Sequence, residues 1–161
     1  MFVLVRAVIY ASLFVAILLV FVPARLLGPV GLPRPSVLGM PELLGMAAVL
    51  VGALIAAWCV GTFVVVGRGT PAPFDPPRRL VVRGPYRFVR NPMYLGAALA
   101  LAGAALVYRS VALVVYLLVL AAASHAFVVG YEEHALARLF GADYDAYRAR
   151  VRRWIPWPRR G

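Results

Sequence analysis

Two adjacent glutamates, Glu132 and Glu133, close a long apolar segment of the chain. Carboxylates at the border of such a segment are costly unless cations meet them. The sequence offers two sources of positive charge, the arginines Arg83, Arg87 and Arg90 or a cationic ligand. With the arginines alone, the pair is an exposed helix end held by salt bridges. With a ligand, it is a binding site.

His125 is the other polar side chain with chemical potential in this segment. It lies seven residues before Glu132, so on a regular helix the two side chains point within about 20° of each other. Two interpretations stay open: a hydrogen bond between helices, or chemistry on a bound molecule. The single cysteine, Cys59, lies in an apolar run and is interpreted as a small buried hydrophobe.

Four apolar runs must position these groups, at 3–22, 43–66, 93–108 and 111–131. A helix needs roughly 20 apolar residues to cross the hydrocarbon core. The second and fourth runs are long enough to cross it. The first is long enough if the Arg6 side chain snorkels to the lipid headgroups, and the third is of marginal length. The third helix is expected to begin at Pro92, with Asn91 as its N-cap. The pattern predicts an all-α integral membrane bundle of about four transmembrane helices, with a cytoplasmic C-terminal helical tail.

Composition and charge agree with a membrane protein. The 161 residues are 63% hydrophobic and carry a formal net charge of +11, which excludes a disordered chain and disfavours an ordinary soluble domain. With both termini inside, a four-span topology places 14 of the 17 arginines on the cytoplasmic side. Because topology accounts for the charge, a nucleic-acid partner is not expected. The expected location is a bacterial inner membrane, with membrane lipids as neighbours.

We divide the chain as one membrane domain, 1–161. It comprises two N-terminal transmembrane helices (1–66), a cytoplasmic linker (67–91), and a helical hairpin with the C-terminal tail (92–161). The first run is expected to be a retained anchor rather than a cleaved signal peptide, because no small-residue cleavage site follows it. The proline-rich stretch 23–41 is expected to be irregular, and 70–77 to be a linker or a lid. The stretch 96–105, rich in Ala and Gly, allows close helix packing, within the monomer in preference to an oligomer.

The order of these features carries a family resemblance. The block 90–96 (RNPMYLG), a two-span hairpin, Glu132-Glu133 and the tail 140–156 together resemble the isoprenylcysteine carboxyl methyltransferase and phospholipid N-methyltransferase superfamily. The resemblance covers about residues 61–158. The segment Asn91 to Tyr94 is similar to the phospholipid branch, whereas the tail is more similar to the isoprenylcysteine branch.

The resemblance implies S-adenosylmethionine as cofactor, bound on the cytoplasmic side in a pocket that the tail completes. A glutamate of the pair would hold the ammonium, Arg87 or Arg90 the carboxylate, and a tyrosine would pack the adenine or face the sulfonium. The expected cofactor-binding residues are Tyr86, Arg87, Arg90, Asn91, Pro92, Tyr94, Glu132, Glu133, Tyr144 and Tyr147. The expected catalytic residue is His125, which would accept a proton or orient the acceptor. No metal is required.

The implied activity is methyl transfer to a lipid or small lipophilic acceptor that presents an amine, a thiol or a carboxylate. A carboxylate acceptor is disfavoured, because residues 126–129 are apolar where the eukaryotic isoprenylcysteine enzymes carry charged residues. Two other classes remain as alternatives: an NADPH-dependent sterol-type reductase, and a non-enzymatic membrane scaffold. The oligomeric state is not indicated.

Overall fold

The computed structural model describes residues 5, 9–10, 12–13, 15–27, 39–67 and 78–156. All regular elements in these ranges are helical, which confirms the all-α prediction for the described part of the chain. The helices are α1 (Val15–Leu26), α2 (Met40–Gly67), α3 (Pro92–Val107), α4 (Val111–Phe140) and α5 (Ala142–Arg150). The predictions for Arg6 and for a lid at 70–77 lie outside the described residues.

Helices α2 and α4 are long and apolar enough to cross a membrane. In their most apolar windows only 17% and 11% of the residues are buried within the protein. A soluble protein rarely leaves such large apolar surfaces in water, so these faces are suited to a lipid bilayer. Helices α1 and α3 are apolar but shorter. The prediction of an irregular segment from Pro23 onward was wrong at its start, because α1 continues through Pro23, which lies in the first turn of its last helical segment.

Helices α2 and α3 pack antiparallel through glycines spaced seven residues apart on each helix. A Cβ on Gly52 would lie 2.5 Å from the carbonyl oxygen of Gly96, and one on Gly45 would lie 2.7 Å from that of Gly103. Only hydrogen fits at these positions, as is typical of small-residue contacts between membrane helices. The prediction that the small residues of α3 serve packing within the monomer is confirmed at this contact.

A tight turn joins α3 to α4 at the end of the bundle remote from the glutamate pair. Arg109 adopts a positive φ of 45° there, and Ser110 caps α4 by accepting a hydrogen bond from the Leu113 amide at 3.3 Å. The Nε of Arg109 donates to Oε1 of the buried Glu42 at 2.7 Å, which ties the turn to the start of α2. The predicted helical hairpin is therefore fixed at its turn.

Helix α4 does not remain a regular α-helix throughout. A π-helical segment, Val128–Glu132, lies between its apolar part and its last turns. Such segments accommodate an extra residue and frequently occur at functional sites. Gly141, at φ 51°, then ends α4 and allows the chain to enter α5.

Candidate active site

Glu133 lies between two arginines. The Nε and Nη2 of Arg153 donate to its two carboxylate oxygens at 2.6 and 2.9 Å, and Nη2 of Arg90 lies 3.1 Å from Oε1. The Arg90 and Glu133 side chains are only 7% and 15% exposed. A bidentate arginine–carboxylate pair of this kind is both strong and directional. Glu133 therefore joins the C-terminal tail to the start of α3.

Glu132 has a different environment. The Tyr94 hydroxyl donates to its Oε2 at 3.0 Å. No arginine of the described residues forms an ion pair with it, although its neighbour Glu133 has two. A partly buried carboxylate with a single neutral donor retains capacity for a cation. Of the arginines expected from the sequence to meet the pair, Arg90 binds Glu133, and Glu132 has no arginine partner among the described residues.

Arg90 lacks a hydrogen-bond acceptor for one of its N–H groups. Its Nη1 donates to the Tyr144 hydroxyl at 3.2 Å, and its Nη2 pairs with Glu133. Its Nε is buried and has no hydrogen-bond partner among the described residues. A buried guanidinium N–H without an acceptor is costly. A carboxylate or another anionic acceptor would satisfy it.

Asn91 and Pro92 shape the backbone at the start of α3. Pro92 occupies the first turn, as expected, but the Asn91 side chain does not cap the helix. Its Nδ2 instead donates to the Arg153 carbonyl at 3.2 Å, beside a bond from the Arg90 amide to the Arg152 carbonyl at 2.9 Å. Asn91 is therefore the N-cap residue by position, as predicted, but its side chain makes no capping hydrogen bond and instead ties the tail to the start of α3.

Three of the four tyrosines expected at the site are packed inside the protein. Tyr86, Tyr144 and Tyr147 are 7%, 2% and 5% exposed. The Tyr147 hydroxyl donates to the Tyr86 carbonyl at 2.7 Å, and burial raises the pKa of this phenol, which keeps the donor protonated. These contacts dock α5 onto the turn Gly84–Arg87. Arg87 is exposed and lies over the Phe88 ring at 4.5 Å.

A cavity of about 280 Å³ lies between α3 and α4. Its walls include Ala97, Ala98, Leu117, Leu120 and Ala121. Tyr94, His125 and Trp154 also line it. Because the ring of Tyr94 faces this cavity while its hydroxyl reaches Glu132, the cavity and the unpaired carboxylate are neighbours.

His125 and Trp154 form a pair beside this cavity. The indole Nε1 donates to Nδ1 of His125 at 3.0 Å, and the Trp154 ring meets Tyr94 edge-on at a centroid distance of 6.2 Å. Since indole is only a donor, Nδ1 of His125 must be the unprotonated nitrogen, and Nε2 carries the proton in the neutral ring. With this bond intact, neutral His125 can donate from Nε2 but cannot accept a proton there.

Sequence reasoning missed Arg153 and Trp154 as members of the site. Both lie in the non-helical tail that follows α5, where no periodicity indicates which side chain faces inward. In the structure Arg153 reaches Glu133 and Trp154 reaches His125 from a stretch of bends. Such a stretch leaves no regular pattern in the sequence that could have indicated these partners.

Comparisons with known proteins relate the sequence of this chain to methyltransferases. The family description Phospholipid methyltransferase matches residues 40–143. The chain is also 31% identical over 148 residues to methanethiol S-methyltransferase 1 of Bradyrhizobium diazoefficiens, a match that covers 79% of this chain and 48% of that protein. The chain thus spans about half the length of this curated relative. No solved structure gives a significant match to this chain.

Proposed function

Because the chain belongs to the phospholipid methyltransferase family, we propose that it is an S-adenosylmethionine-dependent membrane methyltransferase acting on a lipid or small lipophilic acceptor. The observation that carries the proposal is a carboxylate without an ion-pair partner beside a buried guanidinium N–H without an acceptor. Glu132 has no arginine partner among the described residues, and the buried Nε of Arg90 has no acceptor there. Both belong to the motifs that resemble the family.

The residues present fit the amino-acid end of this cofactor. An α-ammonium supplies the cation that Glu132 lacks, and an α-carboxylate supplies the acceptor that Arg90 Nε lacks. Of the residues expected to bind the cofactor, Glu132, Arg90 and Tyr94 would do so directly. Glu133, Asn91, Tyr144 and Tyr147 would act by holding the tail and Arg90 in place.

When bound, S-adenosylmethionine supplies a methyl group on a positively charged sulfur, which an acceptor nucleophile can take directly. The protein therefore needs to align the acceptor and exclude water, without a metal. Trp154 and Tyr94 provide aromatic surface at the cavity for this purpose. His125 orients the acceptor through Nε2, a role that its bond from Trp154 leaves available.

The family name and the relative's name point to different acceptors, a phospholipid and methanethiol. An amine or a thiol is therefore proposed here in preference to a carboxylate. The last residues before the glutamates offer no cation to a carboxylate acceptor. Arg153 binds both oxygens of Glu133, and the free Nε of Arg90 is assigned to the cofactor carboxylate. Four membrane spans, with both termini and the cofactor site in the cytoplasm of a bacterial cell, complete the proposal.

Calorimetric binding of S-adenosylhomocysteine to detergent-purified protein tests this function. We expect micromolar binding, reduced roughly 10- to 100-fold in Glu132→Gln, because a charge-assisted hydrogen bond contributes about 1.5–3 kcal/mol. Asp145→Asn is the matched control: it removes the same charge from an exposed carboxylate, paired with Arg148, and should leave binding unchanged.

Two results would contradict the proposal. If folded wild-type protein does not bind S-adenosylhomocysteine, it is not a methyltransferase of this type. If NADPH binds in its place, the reductase alternative is supported. Binding that survives in Glu132→Gln would instead remove only the assignment of this glutamate.

A further inference from the structure

The cavity between α3 and α4 has a lining that constrains what can enter it. Resting on the proposed function, we propose that this cavity is the acceptor site and that it admits a short-chain alkyl thiol rather than a phospholipid amine. Three observations carry this inference: the cavity adjoins Tyr94 and thus Glu132, its lining carries no formal charge, and its volume is small.

The uncharged lining selects against charged acceptors. Among the described residues at the cavity, the polar side chains are Tyr94, Ser124, His125 and Trp154, and none is an arginine, lysine or carboxylate. A phospholipid phosphate would be buried there without a cation. An alkylamine, with a pKa of about 10.4 as in lysine, would enter as an ammonium and lose its hydration. A thiol is neutral at pH 7 and enters without that cost.

The size of the cavity limits how much of an acceptor it can enclose. Its volume of about 280 Å³ lies just below the range of roughly 300–1,000 Å³ typical of ligand sites. Alanines at 97, 98 and 121 form part of its walls, so the available space depends on side chains that are a single methyl group. A short alkyl chain can be enclosed by these walls, whereas two fatty acyl chains would extend out of the cavity on its open side, beside the exposed Ala121 and His125.

The transfer itself balances without a further reagent. The acceptor sulfur forms a bond to the methyl carbon, the bond from that carbon to the sulfonium sulfur breaks, and its electron pair remains on the departing sulfur as a neutral thioether. The thiol proton passes to water. The N–H at Nε2 of His125 is a protein donor at the cavity that can orient the acceptor sulfur as it loses the proton.

A cavity-filling substitution tests the site directly. Ala121→Leu places a larger side chain in the cavity, while Ala122→Leu makes the same change at an exposed position of the same helix that does not line it. The first measurement is calorimetric binding of 1-butanethiol to the protein without cofactor. We expect binding to wild-type and Ala122→Leu, and at least tenfold weaker binding to Ala121→Leu. Methyl transfer to methanethiol, 1-butanethiol and phosphatidylethanolamine vesicles is then compared, with loss of 1-butanethiol activity expected in Ala121→Leu alone.

S-adenosylhomocysteine binding separates failure of this inference from failure of the proposed function. If it binds all three proteins equally but 1-butanethiol binds none, or binds Ala121→Leu as well as wild-type, the acceptor site is wrong and the methyltransferase stands. Methylation of phosphatidylethanolamine at a rate comparable to that of the thiols would also overturn the inference. If S-adenosylhomocysteine does not bind, the proposed function fails. Binding of 1-butanethiol in that case would show that the cavity takes a thiol, but not that the thiol is an acceptor for methyl transfer.

Discussion

Glu133 is a carboxylate whose removal leaves two arginines without a partner. Breaking a buried ion pair from one side costs about 3–5 kcal/mol, but Arg153 is 31% exposed and water can partly replace its partner. We therefore expect Glu133→Gln to lower the free energy of unfolding by about 2 kcal/mol. Chemical unfolding in detergent micelles would measure this. The exposed carboxylate variant Asp145→Asn should change the free energy of unfolding by less than about 0.5 kcal/mol. Equal effects of the two variants would show that Glu133 is not structural.

His125 provides a residue-level test of positioning against proton transfer. Loss of a general base lowers the rate about 10²- to 10⁴-fold. Because Nδ1 already accepts from Trp154, we expect His125→Ala to lower kcat/KM only about tenfold, with S-adenosylhomocysteine affinity unchanged. Trp154→Phe, which keeps a ring but removes the donor, should reproduce part of this loss. Unchanged methyl transfer in His125→Ala would exclude a role of His125 in the reaction. A loss of more than 10²-fold would support His125 as the general base.

At the level of helices, the contact between α2 and α3 depends on glycine. In Gly52→Ala the added methyl group would lie 2.5 Å from the Gly96 carbonyl, so the two backbones must separate. Overpacking of this kind costs about 1–3 kcal/mol. Gly61→Ala is the matched control in the same helix, because nothing lies within 4 Å of its added Cβ, and it should be neutral or slightly stabilising. Thermal unfolding in micelles would compare the two. If Gly61→Ala destabilises the protein as much as Gly52→Ala, close packing between α2 and α3 is not the cause of the destabilisation.

The helices themselves were predictable, because long apolar runs leave few alternatives to a helix in a membrane. The expected runs 43–66 and 111–131 correspond to Met40–Gly67 and to the first part of Val111–Phe140. The directions in which the side chains of α4 point were not predictable. The face shared by His125 and Glu132 was derived for a regular helix, but a π-helical segment intervenes, and only the contacts of Tyr94 and Trp154 show where each side chain points.

The tail illustrates the other limit of sequence reasoning. The motif predicted that it completes the site, but its contacts are long-range hydrogen bonds that leave no pattern in the sequence. Asn91 was correctly predicted as the N-cap residue by position, but its side-chain amide donates to the Arg153 carbonyl and makes no capping bond to the helix backbone. The sequence predicts where the helix begins, but only the folded chain shows which group the Asn91 side chain bonds.

This bond gives a prediction for the tail as an element. Asn91→Ala removes the donor to the Arg153 carbonyl and costs about 1 kcal/mol. Local opening of the tail should become more frequent, and limited trypsin digestion should cleave faster after Arg152 and Arg153. Gly130→Ala, at an exposed position of α4 with nothing near its added Cβ, should digest like wild-type. Unchanged cleavage in Asn91→Ala would show that the other tail contacts suffice.

At the scale of the whole molecule, the two ends of the hairpin α3–α4 have different chemistry. One end carries Arg90, Glu133 and the arginine-rich tail, and the other carries the turn at Arg109 with its bond to Glu42. The apolar surfaces of α2 and α4 lie between these ends. If these helices cross the membrane, the positive-inside rule places the site end in the cytoplasm and the turn outside.

Single cysteines can test this orientation without altering either end. The native Cys59 is fully buried, so wild-type protein should not react with a membrane-impermeant maleimide and serves as the background. Val111, next to the turn, is 76% exposed, and Arg150 is exposed at the end of α5. Because the reagent cannot cross the bilayer, Val111→Cys should label in intact spheroplasts, and Arg150→Cys only after the membrane is permeabilised. Labelling in the opposite order would invert the topology, and labelling of both in intact spheroplasts would show that α4 does not span the membrane.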